Sequence, residues 1–499
     1  MRTGATLVTV MFWFLCVAVP SQAQSSRSFT RQSVEADLTE TFEILQRHHP
    51  NFSQHNKAAD LRALYEELLD ALPGTLSREQ AYLSIATLVG AVCDEHTQVI
   101  KRRTDHTIMP SGWPWFDLQL MVRDGQLYVE DSKRKSKTQV ISINGISGAM
   151  LADKLVASMP NDGCYEDGLL LVNGFLKVSG HIVMAALGSA GPYELVTQRA
   201  GATDRKTQTV PSSSSLKAKR GYRAFRKAQL WDLVTELQAQ DFEPQELGKK
   251  LERADLSYFL SEPRDLAYLK VDSFRPPEKA RKGIEQAMRD VIRRNPAALV
   301  LDFTDNPGGY TETAQFLMAF LLPRAHRLHS RAYRINIAKD LPESFTFRDK
   351  AAKDARNKDI RYFRKIKPRN GIRSTRMGRR SFGKPDYKGR IYILLSPESH
   401  SNAINVAANL KRLRNAVIVG NVTAANTLSV CAAAQGSFHL KYTKFILAVP
   451  ELCYSSPENK FADRGTLHPD VEVDIFRWPL VNMNTMIMRA ALDHWDANN

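Results

Sequence analysis

Two short runs constrain the fold of this chain more than any other feature. Ala298–Phe303 is apolar but for Asp302, and Ile391–Leu395 reads IYILL. Apolar runs of that length without alternation are strands buried on both faces, as parallel strands are. Each leads through a polar turn into a helical pattern. Asn306-Pro307-Gly308-Gly309 precedes a predicted helix over 311–322, and Ser396–Ser401 precedes one over 402–413. Leu266–Val271 and Ala416–Val419 read as further strands, and Pro276–Asn295 as a further helix. Strands alternating with helices predict an α/β core with parallel pairing, placed at 263–480.

Upstream the periodicity differs. Over 24–108 it is helical: Leu38, Phe42 and Leu45 recur on one face, as do Leu61, Leu64 and Leu68. Pro73-Gly74 interrupts, and Ser77–Gln80 reads as a capping box for a third helix ending at Asp94-Glu95-His96-Thr97. From Trp115 the period becomes two. Leu118, Leu120 and Val122 alternate, Val140–Ile143 ends in the turn Asn144-Gly145, and Tyr193–Gln198 and Lys206–Val210 close the pattern. This predicts a small β-rich domain over 112–212, with a helix through Leu151 and Leu155. A mostly helical linker follows over 213–262.

With 43% hydrophobic and 24% charged residues in 499, collagen-like, low-complexity and wholly disordered classes are excluded. The net charge of +16 would suit a nucleic-acid binder, yet 17 Lys or Arg against 4 Asp fall between Arg348 and Arg390. The charge therefore belongs to one segment, and no nucleic acid is expected as a partner. The insertion 348–390 is predicted to be exposed and poorly packed, with an anionic envelope polymer as its candidate partner. Residues 1–23 read as a signal peptide: Arg2, the apolar Leu7–Val19, Pro20, then Ser21-Gln22-Ala23, with cleavage after Ala23. The run is too short for a comfortable membrane span. The expectation is a periplasmic or secreted protein with no transmembrane span after cleavage. Cys93, Cys164, Cys431 and Cys453 then remain, allowing three pairings. Cys431–Cys453 is favoured, since both lie in one strand-rich stretch. No two-Cys or two-His metal spacing occurs, so neither a metal site nor a cofactor is expected.

A serine that opens a helix, such as Ser401, sits near first-turn N–H groups, which suits an N-cap and equally a nucleophile. A nucleophile needs a histidine base and an orienting acid. His400 is a poor base for its neighbour, because adjacent side chains diverge. His96 lies far away in sequence. The Gly308-Gly309 turn can present N–H groups to a developing oxyanion.

Taken together, these stretches resemble the tail-specific, or C-terminal-processing, serine peptidase family. The resemblance rests on DEHT at 94–97, ISINGISG, AYLKVDSF, LVLDFTDNPGGYTETAQFL, IYILLSPESHSNAINVAANL, VIVGNVTAANT and DRGTLHPDVEV. It implies an N-terminal helical bundle, a PDZ-like β-rich domain and an α/β, crotonase-like peptidase core. Asn426 stands where one branch carries its catalytic Lys, so the chain is similar to the tricorn-core-like branch. That branch implies Ser401 as nucleophile, His96 as base and Asp463 as acid, with Gly308, Gly309 and Asn402 at the oxyanion hole. The implied substrate is a polypeptide. The alternative is a catalytically weakened relative acting as a binding or scaffold protein, since Asn402-Ala403-Ile404 and the TAAN stretch depart from the family pattern.

Overall fold

The computed structural model describes residues 28–499 apart from 53–55, 101–114, 117, 119, 131–136, 160–169, 172–182, 184, 189–190, 200, 214, 246–255, 323–324, 336–340, 348, 379–386, 422–426, 428, 432–435, 456–461 and 464–465. The expected signal peptide, Cys164 and the 423–426 stretch lie outside the described residues.

Three helices come first: α1 (Arg31–His48), α2 (Ala58–Asp70) and α3 (Arg78–Gly90). Ser77 and Gln80 form the expected capping box on α3. A short strand, β1 (Gln98–Ile100), follows the Asp94–Thr97 turn. The β-rich region contains β2 (Leu120–Arg123), β3 (Gln126–Glu130), β4 (Lys137–Ile143), α4 (Gly148–Ser158), β5 (Tyr193–Gln198) and β6 (Arg205–Val210). These strands pair antiparallel in the order β6-β5-β4-β3-β2. The helices and this sheet share one hydrophobic core, in which Leu38, Ile85 and Leu88 join Leu127, Ile143, Leu155 and Leu195. A Cβ on Gly90 would stand 2.4 Å from the Ala157 carbonyl oxygen, so glycine lets α3 press onto α4.

Helix α5 (Ser215–Ala239) leads to the second half. There the chain runs through β7 (Leu256–Ser261), β8 (Leu266–Val271), α6 (Pro277–Arg294), β9 (Ala298–Asp302) and α7 (Thr311–Ala319). Next come β10 (Arg331–Arg334), β11 (Phe345–Phe347), α8 (Lys350–Phe363), β12 (Arg373–Arg376), β13 (Arg390–Leu395), α9 (Asn402–Arg414) and β14 (Val417–Gly420). The last elements are β15 (Ser429–Cys431), β16 (Gly436–His439), β17 (Ile446–Ala448), β18 (Cys453–Ser455), β19 (Val471–Glu472) and α10 (Met483–Asp496). The central sheet runs β7-β8-β9-β13-β14-β19, parallel from β8 to β19, with β7 antiparallel to β8 and the two-residue strand Glu243–Pro244 antiparallel outside β7. The runs that predicted buried strands, β9 and most of β13, are buried throughout. A smaller sheet, β11-β16-β17-β1, places the strand that follows His96 at the edge of strands drawn from the second half.

The basic insertion corrects its expectation. It contains a capped helix, in which Asp349 accepts from the Ala352 N–H at 2.7 Å. Ala352, Arg356, Ile360 and Phe363 form a buried face on α8. Arg356 is fully buried, and Glu451 binds it together with Arg334 (2.7 Å) and His48 (3.0 Å). Burial would raise the Glu451 carboxyl, but His48 and the two guanidinium groups hold it at about 2. An arginine in the helix's inward stripe reads as solvent-facing in sequence, because its buried carboxylate partner lies 95 residues away. Cys431 and Cys453 are bonded as expected, directly opposite one another on β15 and β18. Cys93 is disulfide-bonded as well. Among the described residues, no helix is long and apolar enough to cross a membrane.

Candidate active site

The two turns that leave β9 and β13 lie side by side, because their strands pair in register, Asp302 opposite Leu394. Main-chain and side-chain bonds lock them together. Ser399 Oγ donates to the Phe303 carbonyl (2.8 Å), and the His400 N–H to that of Asn306 (3.0 Å). Asn306 Nδ2 donates to the Val271 carbonyl (2.8 Å), which fixes the turn to β8.

Ser401 ends this second turn with φ 53° and ψ −123°, and α9 begins at Asn402. A non-glycine residue there is strained. Its hydroxyl caps nothing on the helix, which removes the ordinary reason for a serine at this place. Gly308 (φ 87°) lies against it: a Cβ there would stand 2.7 Å from Ser401 Cβ and 2.9 Å from Asn402 N. The two glycines differ in what they can offer. The Gly308 N–H already donates to Asn306 Oδ1 at 2.7 Å. Asn402 Nδ2 donates to the Gly309 carbonyl (2.8 Å) and to Thr311 Oγ1 (3.3 Å).

His96 arrives from the other half of the molecule. Asp94 organises its turn: Oδ1 accepts from the His96 N–H (3.2 Å), and Oδ2 accepts from Thr97 Oγ1 and His49 Nε2 (2.9 Å). His49 Nδ1 accepts from the Asn51 N–H, so the ring presents Nε2–H to Asp94. His96 Nδ1 is 3.5 Å from Asp94 Oδ1, and Nε2 is 3.6 Å from Glu95 Oε1. His400 Nδ1 lies 2.9 Å from Glu95 Oε2. The residue before Ser401 thus touches the residue before His96, and the two turns meet. Burial would raise both carboxyls, but His49 and His96 hold Asp94, and His400 and His96 hold Glu95, below the usual carboxylate range.

Beneath the glycine turn lies a buried charge cluster. Asp305 accepts from Lys270 (2.7 Å), from Asn484 of α10 (2.8 Å) and from Arg226 of α5. Arg226 also reaches Glu398 in the serine turn, at 3.1 Å. Burial opposes ionisation of Asp305, yet Lys270 and Arg226 keep its carboxyl well below the ordinary range.

Ser401, Gly308, Gly309 and Asn402 therefore cluster, and the His96 turn is brought against them. Asp463 has its backbone in a two-residue strand opposite Thr466, while its side chain lies outside the described residues. Glu451, a second carboxylate from the same stretch, faces His48 and the buried arginines. Sequence reasoning missed the parts played by His49, Asp94, Glu95 and Arg226. The DEHT motif pointed to the first turn, but the bond from His49 to Asp94 and that from Arg226 to Asp305 join distant segments. As a metal centre, His49, Asp94 and Cys431 bring three donor atoms within 4.8 Å of one another. The Cys431 sulfur is taken by its disulfide, which leaves two donors.

Residues 265–473 match the family model described as Peptidase family S41. Among solved structures, mature CPAF complexed with lactacystin is 14% identical with a TM-score of 0.55, covering 93% of this chain and 97% of that one. A second structure of mature CPAF gives 13% and 0.53, covering 93% and 96%. These likenesses show the fold. A photosystem II D1 C-terminal processing protease is 14% identical with a TM-score of 0.42, covering 89% and 93%. No curated protein sequence matches the chain.

Proposed function

We propose, on the premise that residues 265–473 make this chain a serine peptidase of family S41, that it cleaves polypeptides where its two turns meet, with Ser401 as nucleophile. The observation that carries this reading is the Ser401 backbone: strained, non-glycine, at the head of a buried helix, and with a hydroxyl that caps nothing. Ser401 Oγ attacks the scissile carbonyl. His96 takes its proton and returns it to the leaving amine. Because the Gly308 N–H is committed to Asn306, the Gly309 and Asn402 N–H groups receive the oxyanion. A fluorophosphonate probe tests this. It should label Ser401 in the native protein and leave Ser401→Ala unlabelled; a native protein that stays unlabelled defeats the assignment.

The family resemblance gives the acid role to Asp463. A second reading is favoured by one observation: Asp94 is the carboxylate beside His96 Nδ1, at 3.5 Å. Asp463→Asn and Asp94→Asn separate the two. The orienting acid, once neutral, should lower kcat with KM little changed.

The β-rich sheet suits docking of a substrate chain end. It carries a cavity of about 400 Å³ whose lining sets Arg199, Arg205 and Lys206 beside Glu130 and Asp204. Export rests on residues 1–23 alone. Mass measurement of the protein from an oxidising compartment should find it beginning after Ala23.

A further inference from the structure

We propose that the Asn402 side chain is a positioning group for the oxyanion hole, and that His329 backs it from the buried side. This rests on the reading of Ser401 as nucleophile. Asn402 acts at two places. Its backbone N–H is one proposed donor, and its amide Nδ2 holds the carbonyl of Gly309, whose N–H is the other, at 2.8 Å. One side chain thus sets the spacing between the two donors. A second bond, to Thr311 Oγ1, extends the tie to the first residue of α7.

The far side of the same amide is unusual. Asn402 Oδ1 is buried and makes no hydrogen bond among the described residues. His329 is 1% exposed, and neither of its ring nitrogens has a hydrogen-bond partner there. Its ring is stacked on Tyr454, with centroids 5.1 Å apart. Its backbone is pinned on both sides: Asn409 of α9 donates to the Leu328 carbonyl (3.2 Å), and the Ser330 N–H to that of Ser455 (2.7 Å). Burial lowers the ring's pKa to about 4, and Asn402 is the polar group whose influence opposes that shift. A neutral imidazole N–H therefore stands near an amide oxygen, too loosely for a well-formed hydrogen bond.

Buried polar groups left unpaired beside a catalytic turn call for a reason. Here the reason is differential. When an oxyanion draws the Gly309 and Asn402 N–H groups inward, the bond from His329 to Oδ1 tightens. An interaction that strengthens in the transition state raises kcat and leaves KM alone. The resemblance places alanine where this chain has Asn402, so the device belongs to this sequence.

The test measures fluorophosphonate labelling of Ser401, together with kcat and KM on a cleaved peptide, in the full chain. Asn402→Ala should slow both labelling and kcat by roughly 10–100-fold, with KM within about twofold. His329→Phe, which keeps the stack on Tyr454, should lose about tenfold in kcat. His329→Gln, which still donates, should keep more activity than His329→Phe. If Asn402→Ala fails to fold, Asn402→Asp, equal in shape but lacking the donor, takes its place with the same expectation. Wild-type protein unlabelled at Ser401 overturns the nucleophile reading and this proposal with it. Labelled wild type beside unchanged Asn402 and His329 variants, or variants that change only KM, overturns the proposal alone.

Discussion

The two turns that meet at the site are held by different forces. The serine turn is fixed by covalent geometry and packing. It leaves a buried parallel strand, passes a residue at φ 53°, and enters a helix whose first turns, including Ala403, Ile404, Val406 and Ala407, are buried. The histidine turn is seated between the buried Val92 and Val99, and its shape is fixed by the Asp94 carboxylate, which binds His49, Thr97 and the His96 N–H. Where Gly308 meets Ser401 the first should resist added atoms. The second should yield most to a loss of charge at Asp94.

The largest effect tests the premise. Ser401→Ala should lower turnover by about 10³-fold or more, while the melting temperature stays within a few degrees. Peptide hydrolysis and thermal unfolding measure the two, and retained turnover removes the serine from the mechanism. Asp94→Asn comes next. The side chain keeps its size and loses its charge, so three hydrogen bonds weaken together. We expect a loss of about 3 kcal/mol in unfolding free energy and a fall in kcat/KM. An Asp94→Asn protein as stable as wild type would mean that packing, not charge, holds the histidine turn.

Gly308→Ala is the matching experiment on the other side. It adds one methyl group and no charge. Its Cβ would stand 2.7 Å from Ser401 Cβ, at a backbone φ of 87°. The expected cost is about 2–3 kcal/mol, with a loss of labelling at Ser401. If Gly308→Ala is harmless while Asp94→Asn is severe, main-chain geometry is not what sets Ser401.

The same contrast explains what could be read from the sequence. Parallel strands, the Ser77 capping box and the Cys431–Cys453 pair were legible, because local pattern determines them. Ser401 and the glycine turn were legible as a strand–turn–helix motif. The partnership of Asp94 with His49 was not, nor was that of Arg226 with Asp305 and Glu398, since tertiary packing alone brings those segments together. Arg356 shows the cost of reading charge as exposure. Its place on the inward face of α8 becomes sensible only when Glu451 is opposite. Glu451→Gln should accordingly destabilise the insertion by about 2–3 kcal/mol, because two buried guanidinium groups would lose their counter-charge. Proteolysis confined to 350–376 would report it.

The smallest effect uses pH to separate the regions. His329 has a folded pKa lowered by burial to about 4, against an ordinary value of 6.5. Between those values the unfolded chain binds the proton and the folded chain does not, so stability falls as pH drops from about 6.5 towards 4. From pH 7 to pH 5 the loss from this group is about 2 kcal/mol. Glu451 has its folded pKa lowered from 4.5 to about 2, so its contribution is present above about 4.5 and is lost only below that. The two windows barely overlap. Replacing His329 with Phe should flatten the stability profile between pH 7 and 5 and leave the fall below pH 4.5 in place. Chemical denaturation at pH 7, 6 and 5 measures the slope. An unchanged slope in His329→Phe would mean that the ring takes up its proton inside the folded protein, and that the buried wall behind Asn402 is wetter than its packing indicates.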